Sequence, residues 1–208
     1  MNILIVDDHE LVRFCLKSIL AQEFPFATIH EAENGLQAEK MARKGKWDIV
    51  ISDMSMPDKS GLDVLKQLRL ESIKIPVLII SMHPENQYAL RVLKAGGNGY
   101  ISKDCPRVEF VKAVNTVLSG KRYISATVAE MLASSLDEDK SKEPHELLSD
   151  RELETLKLIA AGKTISEIAD ELHLSVATES TYRHRLLDKM KLKNNAELMH
   201  YAINNQLV

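Results

Sequence analysis

Asn2-Ile3-Leu4-Ile5-Val6-Asp7-Asp8 and Asp48-Ile49-Val50-Ile51-Ser52-Asp53 decide the fold. Each is a short apolar run that ends in carboxylates. A strand with one wet face alternates apolar and polar residues, whereas an unbroken apolar run reads as a strand covered on both faces. Val77-Leu78-Ile79-Ile80-Ser81 repeats the pattern, and residues 28–32 and 99–102 give weaker strands. Helical spacing fills the gaps. Residues 11–20 carry Leu11, Phe14, Cys15 and Ile19, and residues 35–45 carry Leu36, Ala38 and Met41. Residues 62–70, 86–95 (stopped by Gly96-Gly97) and 108–118 (ended by Gly120) follow. Strands alternating with helices predict an α/β domain, a (βα)5 doubly wound parallel sheet with right-handed crossovers.

Composition sets the outer bounds. The chain has 208 residues, 45% hydrophobic and 27% charged, with a net charge of −3. That excludes disorder along the whole length, and 8 Gly and 2 Cys exclude collagen and disulfide scaffolds. No apolar run approaches the ~20 residues of a membrane helix, and no membrane association is expected. The N-terminus has no basic segment followed by a long apolar stretch, so it does not read as a signal peptide. A cytoplasmic location is expected, with Cys15 and Cys105 as free, buried thiols.

After residue 134 the pattern changes. A short helix is expected over 126–133, then Leu136-Asp137-Glu138-Asp139-Lys140-Ser141-Lys142-Glu143-Pro144 offers nothing to bury and reads as a linker. Beyond it the periodicity is helical throughout. Ser149 and Glu152 have capping-box spacing ahead of a helix that stops at Gly162. A short helix over 164–172, a tight connection at His173-Leu174-Ser175, a longer helix over 176–191 and a last one over 196–204 complete a small all-α, helix-turn-helix domain. The predicted division is 1–123, a connecting segment 124–147, and 148–208.

Ligands of a doubly wound sheet sit beyond the carboxyl ends of its strands. Asp7 and Asp8, Asp53, Ser81 and Lys103 all fall there. Crowded carboxylates favour a hard divalent cation such as Mg2+. With Asp8 and Asp53 holding the metal, and Asp7 helping, Asp53 could accept a phosphoryl group as nucleophile, with Ser81 and Lys103 receiving its oxygens. Taken singly, an aspartate at a strand end is more often a cap or turn former. A phosphate-ester hydrolase would need an acid/base group and a substrate pocket, and neither is evident. An interaction module whose phosphate site no longer works is disfavoured by the complete set of acids, serine and lysine.

Ile5-Val6-Asp7-Asp8-His9, Ser52-Asp53-Met54-Ser55-Met56-Pro57 through Gly61, Ile80-Ser81 and Gly99-Tyr100-Ile101-Ser102-Lys103 resemble the motifs of bacterial response regulator receiver domains. The resemblance implies Asp53 as phosphoacceptor and a Mg2+ site of Asp7, Asp8, Asp53 and the Ser55 backbone carbonyl. It implies Ser81 and Lys103 as the phosphate-sensing pair and Tyr100 as the aromatic switch that moves with them. Lys103 is followed by Asp104 rather than the proline found in many receivers. His83 is a candidate for tuning the lifetime of the phosphate.

Residues 176–193 carry a net charge of +3 within a region, 145–208, of net −2. A locally basic helix suits the major groove. Leu148 through Gly162, Ile165 to Ala169, Leu174-Ser175, Thr178, Tyr182-Arg183, Lys189-Met190 and Ala196-Glu197-Leu198 resemble a LuxR-type helix-turn-helix. The chain is thereby similar to the NarL/FixJ response regulators: regulators of transcription, not turnover enzymes, phosphorylated by a sensor histidine kinase. The resemblance implies Ser180, Thr181 and His184 as base-facing and Arg183, Arg185 and Lys189 as phosphate contacts on double-stranded DNA. It also implies a homodimer on inverted half-sites when phosphorylated. Glu179 departs from the family, which carries a β-branched apolar residue there. A carboxylate near a duplex costs affinity, and one facing the core costs stability unless neutralised. Glu179 is exposed, or it weakens DNA binding, or this form of the chain carries altered residues; Glu179→Val is expected to tighten binding.

Overall fold

The computed structural model describes residues 1–57, 59–136, 144–172, 174–205 and 207–208. The chain forms two compact units, Met1–Glu138 and Asp139–Val208. The first runs β1 (Asn2–Val6), α1 (Glu10–Glu23), β2 (Thr28–Ala32), α2 (Gly35–Lys44), β3 (Ile49–Asp53), α3 (Gly61–Leu70), β4 (Val77–Ser81), α4 (Glu85–Lys94), β5 (Gly99–Ser102), α5 (Arg107–Leu118) and α6 (Ala126–Leu136). All strand pairs are parallel, in the order β2-β1-β3-β4-β5. The chain therefore winds outward in both directions from β1 and β3, the junction where such sheets place a ligand.

Every residue of β3 and β4 is buried, which is why those runs carry no alternation. Ile3, Ile5, Ile49, Ile51, Leu78, Ile80 and Ile101 form one core with Leu16 and Leu20 of α1 and Phe110, Ala113, Val114 and Val117 of α5. Leu4, Val6, Val50 and Ile79 have the opposite parity and are equally buried. They turn toward the other face, which α2, α3 and α4 cover.

Helix α1 departs from the expected packing. Leu11 is 83% exposed, Phe14 69% exposed, and Cys15 is exposed too. Of the named positions Ile19 packs on the core, together with Val12, Leu16 and Leu20. The helix carries two adjacent apolar stripes, and spacing alone does not say which faces inward. Arg13 marks the inner one: it is buried and donates from Nη1 to the Asp7 carbonyl at 2.8 Å. The expectation of two buried thiols therefore fails at Cys15, while Cys105 is half-buried and both cysteines are free. Leu36 of α2 is likewise exposed.

Helix α6 is longer than its expected 126–133 and belongs to the first unit, not to a connecting segment. It packs on α4, with Val128 buried and Ser125 bonded to the Glu85 carboxylate. Of the charged run, residues 137–143 lie outside the described residues.

The second unit begins with a 3-10 turn, Pro144–Leu147, and continues as α7 (Asp150–Ala160), α8 (Ile165–Glu171), α9 (Val176–Met190) and α10 (Asn195–Asn204). Ser149 and Glu152 form the predicted capping box on α7, and Thr164 and Glu167 form another on α8. Ser175 caps α9, accepting from the Thr178 N–H at 3.1 Å. Lys191 ends that helix in the left-handed region at φ 55. The core is Leu153, Leu156, Ile159, Ile168, Ala169, Leu186, Leu187, Met190, Leu198 and Ala202. His173, part of the expected tight connection, is outside the described residues. No helix among them is long and apolar enough to cross a membrane.

Candidate functional site

Parallel register levels the strand ends. Val6 pairs with Ser52, Asp53 with Ile80, and Ser81 with Ser102. The residues just past these positions therefore meet over the β1/β3 junction. Asp7 is fully buried and Asp53 nearly so. The Lys103 ammonium lies 2.8 Å from Asp7 Oδ2 and 3.0 Å from Asp53 Oδ2, so one cation spans both carboxylates.

The local chain is built for this approach. The N–H of Met54 donates to the Ile80 carbonyl at 2.9 Å, and the Met54 carbonyl accepts from the Gly61 N–H at 2.9 Å. The loop after β3 thus folds back over the strand. A Cβ at Gly61 would stand 2.1 Å from the Asp53 carbonyl oxygen, so only glycine fits there. Lys103 is fixed by its own N–H, which donates to the Ser81 carbonyl at 2.8 Å.

Burial pushes the Asp53 carboxyl up to about 6; Lys103 opposes the shift, and the charges of Asp7 and Asp8 add to it. Burial lowers Lys103, but Asp53 and Asp7 more than offset that and leave it raised. The pocket is therefore an anionic well with one ammonium at its wall.

Asp7, Asp8, His9 and Asp53 each present a ligand atom, all within 4.8 Å of one another. Asp8 Oδ1 is buried yet accepts no hydrogen bond of good geometry, and the His9 Nδ1 lies 3.0 Å away. An unsatisfied, buried, anionic oxygen beside two further carboxylates fits a hard divalent cation. His9 was not singled out from the sequence. Its place follows from being the N-cap of α1, where its N–H donates to Asp7 Oδ1 at 2.9 Å. Arg13, also unforeseen, props the same strand end through the Asp7 carbonyl.

Ser55, Ser81 and Tyr100 are linked through His83. Ser81 Oγ accepts the His83 N–H at 3.0 Å. Tyr100 is buried and its hydroxyl donates to the His83 carbonyl at 2.8 Å. His83 Nε2 lies 3.0 Å from Ser55 Oγ, and its ring stands 5.1 Å from that of Tyr88. One histidine thus ties the loops after β3 and β4 together.

In the second unit, α9 divides into two faces. Ser180, Thr181, His184 and Arg185 are exposed. Arg183 is half-buried, and its Nε donates to Asn195 Oδ1 at 2.6 Å. Lys189 pairs at 2.7 Å with the buried Glu152. Both cations are thus engaged within the domain. Glu179 is not exposed, contrary to one expected alternative. It lies on the inner stripe with Leu186, Leu187 and Met190, is 0% exposed, and accepts from Thr155 Oγ1 at 2.8 Å. Burial raises its carboxyl above the usual range, and Thr155 opposes the shift.

Residues 3–115 match the response regulator receiver domain, and residues 146–202 match the bacterial regulatory proteins of the luxR family. The chain belongs to the response regulators. It is 36% identical over 208 residues to response regulator UvrY of Escherichia coli, covering 100% of this chain and 95% of that one. It is 33% identical over 209 residues to response regulator GacA of Pseudomonas viridiflava, covering 100% and 98%. Among solved structures, RcsB of Salmonella typhimurium superposes with a TM-score of 0.57 at 26% identity, covering 97% of each chain. ChrA, the response regulator of a heme-sensing two-component system, gives 0.51 at 28%, covering 100% of this chain and 98% of that one. This response regulator thus couples a receiver to a LuxR-type regulatory domain in one two-component transcription regulator.

Proposed function

We propose that this response regulator accepts a phosphoryl group on Asp53 from a sensor histidine kinase and, so modified, binds double-stranded DNA as a homodimer on inverted half-sites to control transcription in the cytoplasm. The observation that carries the reading is Lys103 bridging Asp7 and Asp53, because that geometry holds the acceptor carboxylate and an ammonium for the incoming phosphate in one buried pocket.

Asp7, Asp8, Asp53 and the Ser55 carbonyl would hold Mg2+, which when bound offsets the negative charge of the phosphoryl group. In the transfer, an Asp53 carboxylate oxygen bonds to phosphorus as the P–N bond of a phosphohistidine breaks, and the donor imidazole leaves with its electron pair. Lys103 and Ser81 then supply donors to the phosphate oxygens. Ser81 drawn toward the phosphate releases the His83 N–H, and Tyr100, bonded to the His83 carbonyl, follows. That is a local charge event biasing a two-state element. Leu11 and Phe14, exposed at the start of α1 beside His9, support docking of a protein donor over the pocket.

For the output, the exposed row Ser180, Thr181, His184 and Arg185 is the face of α9 offered to the groove. Solved structures of RcsB include an RcsB–DNA complex and RcsB dimers on DNA, which supports both duplex and dimer for this relative. The test is genome-wide DNA capture with and without acetyl phosphate. Enrichment of discrete two-half-site sequences that rises with the donor supports the reading. Enrichment that does not respond to the donor removes phosphorylation from it.

A further inference from the structure

A groove of about 490 Å3 opens on the edge of the receiver, between α2 and the segment that leads into β3. It lies at the amino ends of the strands, the opposite edge from Asp53. Gln37, Lys40, Met41 and Lys44 share one stripe of α2, at spacings of three, four and seven. Lys46, Trp47 and His30 form the rest of the wall. Lys40, Lys44 and Lys46 have no carboxylate within ion-pair distance among the described residues.

The aromatic floor is built rather than incidental. The Trp47 Nε1–H donates to the Met41 carbonyl at 3.0 Å, which fixes the indole against α2. His30 stands edge-on to it, with ring centroids 5.0 Å apart at 85°. The chain at Gly45 lies flat on the ring: a Cβ there would be 2.5 to 2.8 Å from three indole atoms. Asn2 closes one end, its Nδ2 donating to the Lys46 carbonyl at 3.0 Å.

We propose that this groove binds a nucleotide. A flat, apolar ring system over Met41 and Trp47 and a polyanionic tail among Lys40, Lys44 and Lys46 match the two kinds of surface present. An aromatic plane accepts any base, and unpaired ammonium groups favour phosphate oxygens. The acidic pocket at Asp53 cannot serve the same ligand without a metal, because its carboxylates repel phosphate.

Trp47 is the single tryptophan of the chain, so its emission reports on the groove alone. The full-length protein, with EDTA present to exclude metal-bridged binding at the acidic pocket, is titrated with ATP, GTP, adenosine, pyrophosphate and an oligoglutamate peptide. Equilibrium dialysis with labelled ATP and GTP runs in parallel. The expected result is saturable binding of a nucleoside triphosphate with a change in Trp47 emission. Adenosine and pyrophosphate should each bind about tenfold or more weakly, because each offers one half of the ligand. In the variant Lys40→Gln/Lys44→Gln/Lys46→Gln, binding falls about tenfold or more while phosphoryl uptake from acetyl phosphate at Asp53 is unchanged. No binding in either assay overturns the proposal. So does equal affinity for pyrophosphate, preference for oligoglutamate, or undiminished nucleotide binding by the lysine variant.

Discussion

The Thr155 hydroxyl donates to Glu179 Oε1 at 2.8 Å inside the helical unit, while Glu179 Oε2 is buried without a hydrogen-bond partner. A neutral carboxyl tolerates that setting better than a carboxylate does. The carboxyl's raised pKa means the folded state holds the proton more tightly than the unfolded chain. The stability so gained is complete below the ordinary carboxylate range and is lost as pH rises through the raised value. At neutral and alkaline pH the group is therefore a burden on the unit that carries α9. Glu179→Val should raise the stability of this unit at pH 8 by about 1–3 kcal/mol and by less at pH 5. Denaturant melts of the full chain, read by α-helical circular dichroism, measure the difference. Since Glu179 does not face outward, the gain in DNA affinity expected from the sequence should be confined to conditions where part of the unit is unfolded.

Lys189 is engaged within the domain, whereas Arg185 is exposed and has no ion pair among the described residues. Lys189 closes on Glu152, whose carboxylate also accepts the Ser149 N–H at 2.7 Å. Lys189→Met should lower stability by about 1 kcal/mol and leave the salt dependence of DNA binding unchanged. Arg185→Ala should leave stability unchanged and reduce the slope of log affinity against log salt by about 1. Melting curves and salt titrations of both variants decide this.

The convergence of Asp7, Asp8, Asp53, Ser81 and Lys103 on one edge was legible because a parallel sheet brings all strand ends together, so position along each run is enough. His9 and Arg13 were not, because their roles arise from where α1 docks, and that helix has two plausible apolar stripes. Charge counting along 176–193 likewise could not tell paired cations from free ones: Arg183 and Lys189 meet partners twelve and thirty-seven residues away. Glu179 could have been placed from periodicity, since 179, 186, 187 and 190 share one helical face. Its charge drew attention to the duplex instead of the core.

His83 joins the loop after β4 to Ser55, two residues past Asp53. His83→Ala removes that tie and widens the path for water. The aspartyl phosphate should then decay about two- to tenfold faster, as expected when a reactive group loses its cover. Decay of labelled protein after removal of the donor gives the rate. A lifetime equal to or longer than that of the wild type would show that His83 does not shield the site.

Lys103→Met leaves Asp7 and Asp53 buried together with no cation between them. Burial and mutual repulsion then push Asp53 higher still, so the apo receiver should lose stability as pH rises. A proton on Asp53 or a divalent ion then remains to neutralise the pair. Mg2+ affinity at pH 8 should increase by about fivefold or more, because the competing ammonium is gone. Isothermal titration of both proteins measures it, and unchanged affinity would mean that Lys103 and the metal do not compete for the same field.

Full-length protein is incubated with acetyl phosphate in Mg2+ and in EDTA, alongside Asp53→Asn, and intact and peptide masses are recorded. The prediction is one phosphoryl group on the peptide containing Asp53, formed in Mg2+, lost in EDTA and absent from the variant. Equal uptake by Asp53→Asn, or a phosphoryl group carried on another residue, would contradict it.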